Sequence, residues 1–109
     1  MMKKLSIFLA MLFAGIQLTH AAGGTTNAQP ISHFEYFNGH IGLLVKHPNM
    51  INPDACERSD WYMLSKDHPY YKEMVALIMS AHLVGQPLAF GIQGCAQSLP
   101  TVQHVLSIK

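Results

Sequence analysis

The chain has 109 residues, and its seven lysine and arginine side chains nearly balance six aspartate and glutamate side chains, for a net charge of +1. Loss of Lys3 and Lys4 with an N-terminal leader would leave five basic side chains (7 − 2) against six, a net charge of −1. No basic cluster follows residue 21. This balance argues against nucleic acid and an anionic membrane surface as partners.

The first 21 residues have the pattern of a secretory signal peptide. Lys3 and Lys4 precede an apolar run over 5–18, and Thr19 and Ala21 place small residues at the −3 and −1 cleavage positions. An uncleaved anchor is the alternative, but the run is shorter than the roughly 20 residues that a spanning helix needs. We expect a secreted or periplasmic mature chain of 88 residues (109 − 21), without membrane insertion, forming one small domain.

Residues 22–30 are small and polar, which predicts a flexible N-terminal arm before a single domain over 31–109. Two apolar-rich runs, 31–37 and 40–46, then flank Asn38-Gly39. Asn-Gly at two-residue spacing predicts a β-hairpin with a type I′ turn, in which Phe34 faces Leu43. Period-two alternation then gives a core face consisting of Phe34, Tyr36, Ile41, Leu43 and Val45.

The mature chain contains two cysteines, Cys56 and Cys95, which in an exported protein predict a disulfide. Two free thiols are the alternative, and the spacing disfavours a metal or CxxC redox site. The cysteines are 39 positions apart (95 − 56), so the bridge would enclose the third strand, the helix and the fourth strand. In the chain-entropy model a loop of that size contributes about 4 kcal/mol.

Residues 69–85 form the one convincing helix of the mature chain. Pro69 suits the first helical position, Asp67 or His68 the cap, and Gly85 followed by Pro87 predicts the end. The i, i+4, i+7 spacing gives one apolar stripe, formed by Tyr70, Met74, Leu77, Ile78 and Ala81.

The opposite side of this helix is also apolar, at Val75, Ala76, Met79 and Leu83. A helix that is apolar nearly all round is normally buried on both sides. Five short strands cannot easily cover both sides of one helix. These four residues therefore predict an oligomer interface with another copy of the chain.

Three further strands complete the prediction. The third, over 60–66, turns either Tyr62 and Leu64 or Trp61 and Met63 inward. The fourth, over 87–94, directs Leu88, Phe90 and Ile92 inward, and the fifth, over 101–109, places Val102, His104, Leu106 and Ile108 on one face. The order β-β-β-α-β-β predicts a mainly β protein with one helix (α+β), as a five-stranded OB-type barrel.

A family resemblance rests on the segment from Ile31 to Val45, the cysteine before the third strand, and Gly85-Gln86-Pro87-Leu88 before an aromatic-containing strand. These features resemble the B (binding) subunits of AB5-type toxins, in particular the subtilase-cytotoxin and pertussis-like group. The resemblance implies an OB-fold subunit in a ring of five that binds sialylated or other host-cell glycans. The enzyme of such toxins is a separate A chain, which implies no catalytic residue here. Ligand-binding residues remain unassigned.

The polar residues offer few alternatives. His33 and His40 share a hairpin face but lie roughly 13 Å apart, too far to share one ion directly. Ser65, Asp67 and His68 are close in sequence, which does not define a catalytic triad. Neither GxSxG, HExxH nor a phosphate-binding glycine loop occurs. We predict no enzyme activity, no metal site and no cofactor.

Three hypotheses follow from these patterns. The first is a secreted, disulfide-bonded subunit that binds a glycan or glycoprotein receptor and forms a homo-oligomer. The alternative is a monomeric periplasmic interaction or inhibitor protein that binds another protein through its apolar helix face; a small metal-binding protein is a third. Aromatic rings near the junction between the third strand and the helix suit sugar stacking or core packing: Trp61, Tyr62, Tyr70 and Tyr71.

Overall fold

A computed structural model describes residues 22–108; the predicted signal peptide, residues 1–21, lies outside the described residues, as does Lys109. This part of the chain forms one helix, α1 (Tyr71–Val84), which does not have the length and hydropathy needed to cross a membrane. The prediction of a mainly β protein with one helix is confirmed. Its strands are β1 (Gly24–Thr25), β2 (His33–Tyr36), β3 (Gly42–Lys46), β4 (Tyr62–Ser65), β5 (Leu88–Ala96) and β6 (Leu99–Ser107).

The six strands form one open sheet in the order β1-β5-β6-β4-β3-β2, so the prediction of a five-stranded barrel is wrong. All neighbours pair antiparallel except β4 and β6, which are parallel. The difference from a closed barrel lies at the outer edge of β5. That edge is occupied by residues of the predicted arm: Gly24 lies opposite Ile92, and the N–H of Thr26 donates to the carbonyl of Phe90 at 3.0 Å.

The β2–β3 hairpin turns at Asn38-Gly39 as predicted, but its turn type and register differ. Only Gly39 has positive φ, 92°, whereas a type I′ turn requires two such residues. Phe34 lies opposite Val45 rather than Leu43, and the last pair is Tyr36 with Leu43, so the six residues 37–42 separate the paired positions instead of two. A shift of two residues keeps every side chain on its predicted face.

The side chain of Gln97 holds this hairpin loop. Its Oε1 accepts a hydrogen bond from the N–H of Ile41 at 2.8 Å, and its Nε2 donates to the carbonyl of Gly39 at 2.7 Å. Gln97 and Ser98 form the β5–β6 turn with φ of 47° and 70°, so the turn with two positive φ angles occurs where no glycine is present. A contact from the distant β5–β6 turn therefore stabilises the longer loop.

The main core lies between α1 and the inner face of the sheet. Leu88, Phe90 and Ile92 are buried there as predicted, and β4 turns Tyr62 and Leu64 inward. The outer face of β4 is buried as well, because Met63 joins a second, smaller cluster. The helix contributes three buried residues of its predicted stripe: Met74, Ile78 and Ala81.

The predicted face of the last strand is wrong beyond Val102. An irregularity in the β5–β6 pairing places Ile92 opposite Val102 but Gly91 opposite His104, so one extra residue enters β6. Side chains after this bulge change face, and Val105 packs on the core instead of His104. The ring of His104 lies against Gly91, where a Cβ would collide with it.

The ends of α1 are set by two local structures. The N-cap is Tyr70, three residues after Asp67 and two after His68, the two predicted caps, and its side chain makes no capping hydrogen bond. Instead the carbonyl of His68 accepts from the N–H of Tyr71 at 3.1 Å. Gly85 ends the helix with φ of 71°, and the N–H of Gln86 donates to the carbonyl of Ala81, as in a Schellman motif.

Cys56 and Cys95 form the predicted disulfide, with their Cα atoms 5.7 Å apart. The bridge fixes the loop between β3 and β4 to the end of β5. The side-chain amide of Asn52 accepts from the N–H of Cys56 at 2.8 Å and donates to its carbonyl at 2.9 Å, which orders the loop on one side of the bridge. A disulfide indicates an oxidising, exported compartment.

Candidate functional site

A cleft of about 490 Å³ opens between the β2–β3 loop and the start of α1. We call it the hairpin cleft. Two exposed aromatic side chains stand at its rim, Tyr36 and Phe37, each 58 % exposed. Its complete lining is Tyr36, Phe37, Asn38, Gly39, His40, Lys66 and Tyr71.

The backbone explains why these side chains converge. Tyr36 ends β2 on the same face as Phe34, but it lies beyond the edge of the core, so its ring stays exposed rather than buried as predicted. The same overhang leaves Ile41, another predicted core residue, 46 % exposed. Lys66 follows β4 and donates its N–H to the carbonyl of Ile41 at 2.9 Å, which fixes it beside the loop. Tyr71 opens α1.

Two hydroxyl groups meet in the hairpin cleft. The hydroxyl of Tyr71 donates to that of Tyr36 over 3.4 Å. Burial, and then the hydrogen bond with Tyr36, raises the pKa of Tyr71 above its ordinary value of 10.0. The Tyr71 hydroxyl therefore remains protonated across the physiological range and keeps its hydrogen bond to Tyr36. Lys66 also lines the cleft, and its ammonium group is a donor with three hydrogens.

A second cleft, of about 170 Å³, lies on the other side of the β2–β3 loop and shares Phe37 and His40 with the hairpin cleft. The two rings pack edge to face with centroids 6.0 Å apart, and the Nδ1 atom of His40 is buried without a hydrogen-bond partner among the described residues. Trp61 forms another wall. Glu35 also lines this cleft.

The charged groups around Trp61 are already engaged. The ammonium of Lys46 lies 4.6 Å above the Trp61 ring, a cation–π contact. The guanidinium of Arg58 pairs with Asp60 at 2.6 Å, and this hydrogen bond lowers the pKa of the Asp60 carboxyl. Lys66 in the hairpin cleft forms no ion pair among residues 22–108. Its charge is therefore more available to a ligand than the charges of Lys46 and Arg58.

The predicted interface residues of α1 divide into two groups. Val75 is half-buried and packs against the core. Ala76, Met79 and Leu83 are exposed, Met79 by 40 % and Leu83 by 83 %. We call these three residues the outer helix face.

The three polar residues Ser65, Asp67 and His68 have structural contacts. Nδ1 of His68 accepts from the N–H of Tyr70 at 3.0 Å, and Nε2 contacts the carbonyl of Gln103 at 2.8 Å, so both ring nitrogens are occupied. The hydroxyl of Ser65 accepts from the N–H of Asp67. Within the described chain, no three His, Cys, Asp or Glu side chains are placed to hold a metal ion.

The aromatic residues noted in the sequence separate in the fold. Tyr62 is buried in the core, and its hydroxyl accepts from the N–H of Ile51 at 2.7 Å. Trp61 lies on the opposite face of the sheet, Tyr70 is 66 % exposed, and only Tyr71 reaches the hairpin cleft. Sequence reasoning missed Tyr36 and Phe37 as cleft residues, because the predicted short turn kept Tyr36 over the core.

No protein-family model, curated protein or solved structure matches this chain. Inference about its function therefore depends on its own residues.

Proposed function

We propose that the protein is a secreted, non-catalytic binding subunit that recognises a host-cell glycan or glycoprotein receptor through the hairpin cleft. The carrying observation is the grouping of exposed aromatic rings, paired tyrosine hydroxyls and an ammonium group in one cleft, at Tyr36, Phe37, Tyr71 and Lys66. Aromatic faces pack against the C–H surface of a sugar ring, while the hydroxyls and the ammonium can bond its oxygens.

The second part of the proposal concerns assembly. The outer helix face exposes Met79 and Leu83 on the side of α1 opposite to its buried stripe. A second copy of the chain would bury these side chains, and the proposed assembly is a homo-oligomeric ring of five that carries a separate toxin chain. We propose this assembly by analogy with the B subunits of AB5-type toxins. The sheet of this chain is open, and the proposed assembly does not require a closed barrel.

A glycan array with the oxidised, exported protein tests the binding proposal, because the cleft offers a matched pair of variants. Tyr36→Ala removes a cleft ring that is 58 % exposed, and Tyr70→Ala removes a ring that is 66 % exposed outside the cleft lining. We expect saturable binding to particular oligosaccharides, at least about tenfold weaker for Tyr36→Ala, or about 1.4 kcal/mol. The Tyr70→Ala variant should bind like the parent.

Two results would contradict the binding proposal. One is the absence of binding to any glycan by a correctly oxidised oligomer. The other is an equal loss of binding in both tyrosine variants, which would place the glycan elsewhere on the surface.

One observation favours a second candidate function. Leu83 projects almost fully from α1, and such exposure also suits docking to a different protein. In that case the protein is a monomeric periplasmic interaction or inhibitor protein. It should then purify with one partner at fixed stoichiometry, and Leu83→Lys should release that partner.

A further inference from the structure

The carboxylate of Asp54 binds the first described residues of the chain. Its Oδ1 accepts from the N–H of Gly23 at 3.1 Å, and its Oδ2 accepts from the N–H of Gly94 at 2.7 Å. Ala22 directly precedes Gly23, so its nitrogen lies close to the same carboxylate. One side chain thus connects Gly23 to β5 immediately before Cys95.

The position of this carboxylate is set by a rigid loop. Two hydrogen bonds of the Asn52 side chain hold Cys56, and the N–H of Ala55 donates to the carbonyl of Asn52 at 3.2 Å. Asp54 lies between these groups, and the disulfide attaches Cys56 to Cys95. The acceptor is therefore held in place by contacts that do not involve residues 22–24.

The backbone of Gly23 and Gly24 is also held in place. Gly23 has φ of 65°, and a Cβ at this residue would lie 3.0 Å from the carbonyl oxygen of Ile92, so its backbone is pressed against β5. Gly24 follows in β1, opposite Ile92. Because Ala22 directly precedes Gly23, the pairing of β1 with β5 holds the nitrogen of Ala22 near the Asp54 carboxylate.

The predicted cleavage after Ala21 would convert the backbone amide nitrogen of Ala22 into an amine. Hydrolysis of the Ala21–Ala22 peptide bond consumes one water molecule, leaves a carboxylate on Ala21 and frees an amine on Ala22. That amine takes up a proton, because an α-amino group has a pKa of about 8. A neutral amide N–H beside Asp54 becomes an ammonium group.

We propose that Asp54 is the binding site for the α-ammonium group of Ala22 in the processed protein, so that signal-peptide removal completes an ion pair that holds β1 against β5. The proposal rests on the cleavage predicted from the sequence, and it is independent of the proposed glycan function. Hydrogen bonds from Gly94, and then from Gly23, lower the pKa of Asp54, so its carboxyl is ionised at neutral pH and available to the new charge.

The ion pair should have a defined pH dependence. The carboxylate raises the folded-state pKa of the α-amino group above its unfolded value of about 8. While Asp54 is ionised, the stabilisation is therefore complete below that unfolded value, and it is lost as the pH rises through the folded-state pKa of the amine. His104 is the other titratable group at this position, since it lines a cleft together with Ala22 and Gly23.

The test uses the full chain, exported with its own leader and isolated in the oxidised state. Intact mass gives the mature N-terminus, and NMR of the ¹³C-dimethylated α-amine gives its pKa. We expect a chain that begins at Ala22, with an amine pKa at least about half a unit higher than in Asp54→Asn. Asp60→Asn removes a carboxylate that pairs with Arg58 instead, and should leave the amine pKa unchanged.

A glycine inserted after Ala21 gives a second, independent measurement. It moves the amine by one residue, about 3.8 Å along the chain, without touching Asp54. Its amine should titrate as in Asp54→Asn, and this variant keeps the test valid even if Asp54→Asn fails to fold. A mature N-terminus other than Ala22, or the same amine pKa in parent and insertion variant, would overturn the proposal.

Discussion

Substitution of Leu83 by lysine separates the stability of the subunit from its assembly. Leu83 is 83 % exposed in the single chain, so less than a fifth of its side chain is removed from water. Full burial of leucine is worth about 1.5 to 3 kcal/mol, which limits the loss in the monomer to about 0.3 to 0.5 kcal/mol. A lysine in the last turn of α1 also interacts favourably with the helix dipole, by about 0.3 kcal/mol or more. The net change in monomer stability should be close to zero.

The effect on an oligomer should be much larger. In the proposed interface the exposed part of Leu83 becomes buried, and a lysine would place an unpaired charge there. We expect a loss of at least about 2 kcal/mol per interface, or about thirtyfold in the association constant. Sedimentation velocity over a dilution series measures this constant, and urea unfolding followed by circular dichroism measures subunit stability.

The neighbouring residue supplies the control. Val84 is apolar and 79 % exposed, but the helical repeat turns it about 100° away from Leu83 and off the outer helix face. The association constant of Val84→Lys should therefore be closer to that of the parent than the association constant of Leu83→Lys is. The reasoning is refuted if Leu83→Lys assembles as tightly as the parent protein, or if both lysine variants weaken assembly equally.

Three further outcomes are expected. Replacing Cys56 and Cys95 by serine should lower the free energy of unfolding by up to about 4 kcal/mol, measured in urea, because the bridge closes a 39-residue separation. Gly42→Ala should cost about 1 to 3 kcal/mol in the same assay, because its Cβ would meet a backbone carbonyl of β4. Hydrogen bonds, first from Gly94, lower the folded-state pKa of Asp54 below its ordinary value of 3.8. Asp54 should therefore stabilise the fold above pH 3.8 and lose this effect as the pH falls through its folded-state pKa. In a curve of stability against pH, Asp54→Asn should flatten the acid limb.

For each of these three predictions, one result would contradict the reasoning. An unchanged urea midpoint after the double serine substitution would show that the loop is ordered without the bridge. Gly24→Ala, whose nearest neighbour is the flexible end of Ile51, is the control for Gly42→Ala, and equal losses would contradict the steric reason. An acid limb that is identical with and without Asp54 would contradict the direction given for its pKa.

Local signals predicted those parts of the fold in which neighbours in sequence decide the structure. Gly85 with Pro87 gave the end of α1 correctly, because a positive φ and a missing N–H act within one turn. The alternation of Leu88, Phe90 and Ile92 gave the buried face of β5. The disulfide likewise followed from two cysteines in a chain expected to be exported.

Tertiary contacts decided the rest. The side chain of Gln97 stabilises a longer hairpin loop than Asn38-Gly39 alone predicts, and this places Tyr36 beyond the core and in the cleft. β1 forms although Gly24 and Thr25 give no strand pattern, because β5 and Asp54 supply partners for the backbone around them. These partners are far apart in sequence, so no local pattern indicates them.

The native mass of the exported, oxidised protein, measured by light scattering on a sizing column, tests the central proposal most directly. A binding subunit that assembles through the outer helix face should elute as a closed assembly of about five copies, and Leu83→Lys should reduce that mass to a folded monomer. A parent protein that is monomeric at every concentration would contradict the proposed assembly and favour a different protein as the partner of this helix face.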